Sequence, residues 1–312
     1  MNFNIEQWRV QAYTANVYQL SQQRMSRLGP VVRSEVFKGK SEYFDRMGLA
    51  IAQKKVSRNT PTPNLDITLS RRSVTTSMYE WSTLVDRKDK LLQIHDPENQ
   101  FSQAASMSLG RAMDIVIINA ALGNASTGEA GATPVALGNS QKVACVSQGV
   151  QSSLNVNTLL QVKQMMDSAE AVGPRYLVHN AAHMQSLLTQ TQVTSSDYNT
   201  VKALVHGEID TYLGFKFIHT ELLVPSSTYS SSFLFNPTTG LYQASTGTAI
   251  AAGSNSAFAF VGDGLILGKN EEAIGRIDER PDYSYAMQVY NSMDFGAVRM
   301  EEPKVVEIIS TN

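Results

Sequence analysis

Residues 96–123, DPENQFSQAASMSLGRAMDIVIINAALG, read as a single long helix. Asp96 offers an N-cap oxygen, Pro97 suits the first helical position, and Glu98 places negative charge in the first turn. Gly123 is expected to supply a left-handed stop. Between these signals lie about seven turns, a rod of roughly 39 Å. An apolar stripe runs through Phe101, Ala105, Leu109, Ala112, Val116 and Ala120, widened by Met113, Ile117 and Ile118. A strut of this length, in a chain without visible catalytic equipment, points to a structural part rather than an enzyme.

Upstream, the Pro- and Asn-rich cluster at residues 59–64 (NTPTPN) marks a turn. Strand-like runs flank it at residues 47–56 and 66–78, so the segment reads as a long hairpin. With Lys54, Lys55, Arg58, Arg71 and Arg72, the hairpin reads as polar on both faces and in need of a partner. Trp81, Leu84 and Val85 lead back into the body. Residues 4–28 form a weakly amphipathic helix ended by Gly29-Pro30. Two readings stay open for it: a helix packed on its own domain, or an arm lying along a neighbour.

Downstream, residues 123–153 are rich in Gly, Ser, Ala and Asn and read as irregular, with a short strand at 143–146. An alternating α/β region follows. A helix carries Leu159, Val162, Met166 and Ala169 and stops at Gly173-Pro174. Residues 175–179 (RYLVH) form a buried strand, and Asn180 caps a helix bearing Met184, Leu187 and Leu188. A further helix, capped by Ser195 or Ser196, ends at Gly207. Short strands are expected at 215–218, 233–235, 257–261 and 265–267, loops at 226–232 and 238–256, and two long strands at 284–293 and 295–309.

The chain has 312 residues, 42% of them hydrophobic, enough for a full core. A net charge of -2 argues against a dedicated nucleic-acid binder or a polybasic membrane-surface protein. Charged residues make up 17%, below the globular average of about 25%, which fits either a surface largely covered by copies of itself or an ordinary Ser/Gln/Asn-rich one. Cys145 is the one cysteine, so no disulfide forms within the chain. No secretory signal and no run of about 18 apolar residues is read, so the chain is expected to stay soluble in a cytoplasm until it assembles.

The candidate chemistry is thin. His179 and His183 have a zinc-like spacing, but Asn180 stands where a metalloprotease needs Glu, and His179 ends a strand; they read as surface or capping histidines. Residues 262–269 (GDGLILGK) hold one residue too few between Gly264 and Gly268 for a phosphate loop, and read as a strand turn. Cys145 has no nearby base and reads as a buried, inert thiol. The acidic pairs at 271–272, 278–279 and 301–302 read as solvated faces or partners of Arg276, Arg280 and Arg299. No catalytic, cofactor or metal residue is predicted. For Arg71, Arg72, Lys54 and Lys55, intersubunit salt bridges are preferred over phosphate contacts.

The order of parts, and several stretches of wording, resemble the major capsid proteins of tailed bacteriophages with the Hong Kong 97-type fold. Tyr79-Glu80-Trp81, then Asp89-Lys90-Leu91 and His95-Asp96-Pro97, resemble that family's approach to its spine helix. Leu109-Gly110-Arg111-Ala112-Met113-Asp114 and Ala120-Ala121-Leu122-Gly123 resemble the spine itself. Residues 193–204 (VTSSDYNTVKAL), with Gly207-Glu208-Ile209 and Leu213-Gly214-Phe215, are similar to the axial domain of one subgroup. Residues 284–290 (SYAMQVY) and 296–302 (GAVRMEE) resemble the closing strands.

The resemblance implies an α+β fold in four parts. Residues 1–30 would be an N-terminal arm, and 31–85 an extended β-hairpin loop with its tip near 61–64. Residues 86–154 and 276–312 would be a peripheral domain with spine helix 97–122 and the closing strands, and 155–275 an axial α/β domain. It implies a shell subunit that assembles into hexamers and pentamers around double-stranded DNA, contacted non-specifically. A separate scaffolding protein, a portal and a cement or decoration protein would be its partners, without any membrane. The expected place is the virion, after assembly in the host cytoplasm. Lys54, Lys55, Arg58, Pro61, Pro63, Asn64, Arg71 and Arg72 would make intersubunit contacts. Some relatives crosslink a loop lysine to an asparagine; Lys38, Lys40, Lys54 and Lys55 match no such position, and no crosslink is expected. Two alternatives remain, an encapsulin-like nanocompartment shell and a hydrolase or binding module in the α/β region.

Overall fold

The computed structural model describes residues 23–55, 57–59, 61, 64–86, 97–147, 150–190, 211–223, 233–236, 241–244 and 254–311. The expected cap at Asp96, the helix leading to Gly207, the loop at 226–232, Pro63 and residues 1–22 lie outside this set. Of the helix expected over 4–28, only 23–28 are described, and they are irregular. Two compact units divide the chain: Met78–Arg111 with Glu272–Met293 belong to one, and Ser26–Ser77, Ala112–Glu271 and Asp294–Asn312 to the other.

The long helix runs Pro97–Leu122, matching the expected span. Its stop differs from the expectation. Gly123 does not adopt a positive φ; its N–H donates to Asn119 O at 2.8 Å. A Cβ there would sit 2.6 Å from that same carbonyl, so the position needs glycine for close approach. The stripe also differs. Phe101 is exposed, and Ala112 and Val116 are half-buried. Ala105, Leu109, Met113 and Ile117 form the buried line, joined by Ile118 and Ala121. By length and composition Phe101–Leu122 could cross a membrane, contrary to the sequence reading, yet 56% of its most apolar window is buried inside the molecule.

In the second unit, a six-stranded sheet runs Thr211–Tyr212, Phe215–His219, Arg175–His179, Ser254–Val261, Val305–Thr311, Lys142–Ala144. Arg175–His179 pairs parallel with Phe215–His219 and antiparallel with Ser254–Val261. Being central, it buries residues on both faces, which is why RYLVH is apolar in its middle without alternation. Leu177, Ala257, Ala259, Val261, Phe215, Val306 and Ile308 pack with Leu159, Val162, Met166 and Leu187 of helices Val156–Ser168 and Ala181–Leu188. The edge strand Lys142–Ala144 and its neighbour Val305–Thr311 lie outside residues 155–275 in sequence but complete this sheet.

Asn155 caps the first of these helices, accepting from Thr158 N at 2.7 Å. Its end is a left-handed turn at Glu170 (φ 50°), where Ala171 N donates to Met166 O and Glu170 N to Asp167 O, each at 3.0 Å. The helix therefore stops before Gly173-Pro174.

Several departures from the sequence reading concern strands. Leu265–Arg280 runs far beyond residue 267, through polar sequence that is assigned no element. The C-terminal strands are Ala286–Arg299 and Val305–Thr311, separated by a 3₁₀ turn at Glu302–Lys304, because Pro303 cannot donate to a ladder. Residues 241–244, read as loop, form a strand paired with Phe233–Asn236. Ala125–Thr127 and Thr133–Val135 form a hairpin inside the segment read as irregular.

That short hairpin joins a four-stranded sheet in the order Ser41–Met47, Leu69–Thr75, Ala125–Thr127, Thr133–Val135. A second four-stranded sheet runs Arg33–Val36, Leu265–Arg280, Ala286–Arg299, Ser77–Val85. The expected hairpin around the Pro-rich cluster is present, but its paired strands are Ser41–Met47 and Leu69–Thr75. The run at 47–56 is not strand beyond Met47, although Gly48 N still donates to Thr68 O at 2.7 Å.

Candidate assembly interface

The hairpin's two faces differ sharply, and the register shows how. Opposed residues have numbers summing to a constant: Ser41 faces Thr75 and Met47 faces Leu69. On the even-numbered face lie Phe44, Arg46, Arg72 and Val74. Val74 and Phe44 pack with Phe37, Ala125, Val298 and Met300 in a small core. Gly268 floors that core: a Cβ there would meet Phe37 at 2.5 Å and Val74 at 2.8 Å. The lookalike phosphate loop is thus a 3₁₀ turn at Gly262–Gly264 followed by a strand glycine needed for packing.

A buried charge cluster fastens the same face. Arg72, only 2% exposed, donates through Nη2 to Glu302 Oε1. Arg46 Nη1 lies 3.5 Å from Glu302 Oε2 and also donates to Met300 O. Arg299, fully buried, has Nε 3.9 Å from Glu302 Oε1. Its Nη1 donates to Ala121 O and Gly123 O at 2.8 Å and to Ala120 O at 3.4 Å, and its Nη2 to Val135 O at 3.1 Å. Arg299 therefore caps the carbonyl end of the long helix, whose own last turn holds no basic residue. Burial pulls the Arg299 guanidinium down to about 10, opposed by Glu302 and assisted by Arg72. It remains charged at neutral pH. Burial also lowers Arg72, against the pull of Glu302.

Asp114 fastens the chain preceding the hairpin to the same helix. Its carboxylate, with no exposed surface, accepts from Ser26 Oγ at 2.5 Å, Arg27 N at 3.0 Å and Leu28 N at 3.1 Å.

On the odd-numbered face Asp45 and Arg71 form an exposed fork at 2.6 and 3.3 Å, with the guanidinium 5.5 Å from the Tyr43 ring centroid. The Arg71 hydrogen bond holds the Asp45 carboxyl below its ordinary range, and Asp45 raises Arg71 in turn. Met47 and Leu69 end this face, and further large apolar residues are exposed beyond the paired strands. Met47, Leu49 and Ile51 are 70–86% exposed, and Leu65, Ile67 and Leu69 are 38–76% exposed. The hairpin is therefore not polar on both faces.

The eight predicted contact residues fall into three groups. Lys54, Lys55, Arg58, Pro61 and Asn64 are exposed around the turn, and Pro63 lies outside the described residues. Arg71 is half-buried and held by Asp45. Arg72 is enclosed by its own chain and spent on Glu302, so burial withdraws it from the surface. Sequence reading missed Asp114 and Arg299 as anchors, because their partners are backbone groups far away in sequence. It also missed the apolar alternation at 47, 49 and 51, which was legible.

Among the other candidates, His183 completes a capping box. Asn180 Oδ1 accepts from His183 N at 2.9 Å, and Asn180 N donates to His183 Nδ1 at 3.3 Å. Its Nε2 lies 2.7 Å from Ser310 Oγ, so the neutral Nε2–H tautomer satisfies both contacts. Burial, then His179, depress His183 to about 4. Burial also lowers His179. Cys145 is buried, and burial raises its thiol. Among the described residues, no group of three or more His, Cys, Asp or Glu could hold a metal. An open groove of about 670 Å³ is lined by Lys163, Asp167, Glu170, Arg175 and Lys216 among others, and Arg175 is already paired with Asp167 at 2.6 Å.

The chain matches the phage capsid protein family over residues 5–311, and it belongs to that family. Solved structures agree in fold. The capsid of the cyanophage P-SCSP1u aligns with a TM-score of 0.72 at 14% identity, covering 100% of this chain and 96% of the other. The head structure of Helicobacter pylori bacteriophage KHP40 gives 0.68 at 11%, covering 99% and 98%. Mycobacterium phage Che8 gives 0.66 at 13%, covering 98% of both chains. No curated protein matches. The chain is a phage capsid protein, a structural component of the virion, with the mixed helix-and-sheet architecture of solved capsids. The nanocompartment and hydrolase alternatives are not favoured.

Proposed function

We propose that this protein is the main shell subunit of a tailed-phage head, forming hexamers and pentamers that close around double-stranded DNA. In this reading the helix Pro97–Leu122 is the spine, the six-stranded sheet with its helices is the axial domain, and residues 1–30 are the arm. The hairpin is the extended loop that reaches a neighbouring subunit. Assembly takes place in the host cytoplasm with a separate scaffolding protein, and a portal and a cement protein complete the particle. No covalent crosslink is needed.

One observation carries the reading: the hairpin is anchored hard at its root and unsupported beyond it. Arg72, Val74 and Phe44 are locked into the body, while every described residue from Leu49 to Leu69 is exposed. A segment with no core of its own is stable only against a partner. Lys54, Lys55 and Arg58 would add exposed ion pairs there, each contributing only about 0.2–1 kcal/mol, multiplied by the copies in a shell.

The test is to replace residues 50–66 by Gly-Gly, which spares Arg72. The variant subunit is expected to melt within about 3 °C of wild type, since little buried surface is removed. Sedimentation and negative-stain microscopy, with scaffold supplied, should show closed shells for the wild type and none for the variant. Normal shells from the variant would remove the role given to the hairpin.

A further inference from the structure

The charge cluster at the hairpin root is out of balance. The guanidinium groups of Arg46, Arg72 and Arg299 converge on the single carboxylate of Glu302, so positive charge is left over. Arg72 is 2% exposed and Arg299 is fully buried. Glu302 is the acid that acts on both buried groups, and an arginine pushes against each: Arg46 against Arg72, and Arg72 against Arg299. Hydrogen bonding falls short as well. Arg72 spends Nη2 on Glu302, while its Nε and Nη1 are buried and meet no acceptor among the described residues. Arg299 gives both terminal nitrogens to backbone carbonyls. Its Nε is buried too, and at 3.9 Å from Glu302 Oε1 it stands beyond hydrogen-bond reach. Folded proteins pair nearly all their buried donors, and charged donors are the most costly to leave bare.

We propose that a small monovalent inorganic anion, chloride being the common one, binds beside Arg72 at the hairpin root and completes this cluster. Water can accept from the orphan N–H groups, but it brings no charge and leaves the excess in place. An anion accepts the same hydrogen bonds and offsets the buried charge. Enclosure selects the size. Arg72 and Arg299 have almost no exposed surface, which suits a single-atom ion rather than a nucleotide phosphate or a peptide carboxylate. Arg46 and Glu302 keep 22% and 26% of their side chains exposed, so the cluster meets solvent on their side and the ion can exchange there. Arg46 and Arg72 belong to the two hairpin strands, Ser41–Met47 and Leu69–Thr75, whereas Arg299 and Glu302 belong to the body. The ion therefore ties hairpin to body. This site does not depend on the shell reading.

The test uses the purified full-length chain in urea melts, with chloride titrated against gluconate at constant ionic strength. Each tenfold rise in chloride above the site's Kd is expected to lower the unfolding constant about tenfold. Arg72→Gln should lose that dependence, and Arg71→Gln, which alters the exposed neighbour, should keep it. Because Arg72→Gln also breaks a buried ion pair, chloride-35 NMR on the wild type gives a reading that needs no variant. The folded chain should broaden the chloride line, added bromide should narrow it by competition, and urea-unfolded chain should leave it sharp. An unfolding constant that does not move with chloride would overturn the proposal. So would equal chloride dependence in wild type and Arg72→Gln, which would mark a general salt effect. A chloride line that the folded chain leaves as sharp as the unfolded chain does would overturn it too, and would give the orphan donors of Arg72 to water.

Discussion

Glu302 is the residue on which the hairpin root turns. Three guanidinium groups, those of Arg46, Arg72 and Arg299, converge on its carboxylate, and two of them are buried. Removing the counter-charge leaves buried cations without compensation, which is worse than never having buried them. Glu302→Gln is therefore expected to lower stability by about 3 kcal/mol in urea unfolding. Glu301→Gln, which loses only the half-exposed Lys304 contact at 3.0 Å, should change it by less than about 1 kcal/mol. Equal effects would show that the cluster carries no special weight. His183 gives a second residue-level expectation. Folding lowers its pKa from 6.5 to about 4, so its contribution is whole above pH 6.5 and is lost as pH falls through 4. The protein should lose about 3 kcal/mol of stability over that window, and His179 is shifted in the same direction. Urea melts of wild type and His183→Gln at pH 7.5 and 4.5 check this, since the variant should show the smaller drop.

At the scale of elements, the long helix was the most legible part. Proline near the start and glycine after the end bracketed Pro97–Leu122 correctly. The cap came from elsewhere: Arg299 sits 176 residues beyond Gly123, and no local signal can announce it. The strand Arg175–His179 and the Asn180 cap were equally local and equally readable. Leu265–Arg280 was not, because its outer half is polar and lacks an apolar period; it is held as strand by its sheet neighbour Ala286–Arg299. Gly268 shows how a neighbour sets an element's composition. Gly268→Val should cost about 1–3 kcal/mol by forcing Phe37 and Val74 apart, read as a lowered urea midpoint at unchanged slope. A neutral outcome would mean that the small core under the hairpin can expand.

For the whole molecule, one chain presents a firmly cored body and an element that its own body does not cover. The truncation at residues 50–66 addresses the molecule at this scale, because it asks whether a folded subunit can be separated from an assembling one. Of the surface residues read as intersubunit contacts, Lys54, Lys55, Arg58, Pro61 and Asn64 are exposed. Burial took Arg72 out of that set and gave it to Glu302, 230 positions away. By itself the sequence determined the helix and its length, the central strand, the turn of the hairpin and the absence of any motif with the spacing that catalysis needs. These rest on period, caps and turn residues, which are interactions between near neighbours in the chain. Only the tertiary structure decided which face of the hairpin is anchored, what caps the long helix, and that strands from either side of the α/β region complete its sheet. Those outcomes depend on register and on buried charges whose partners the chain brings together only when it folds.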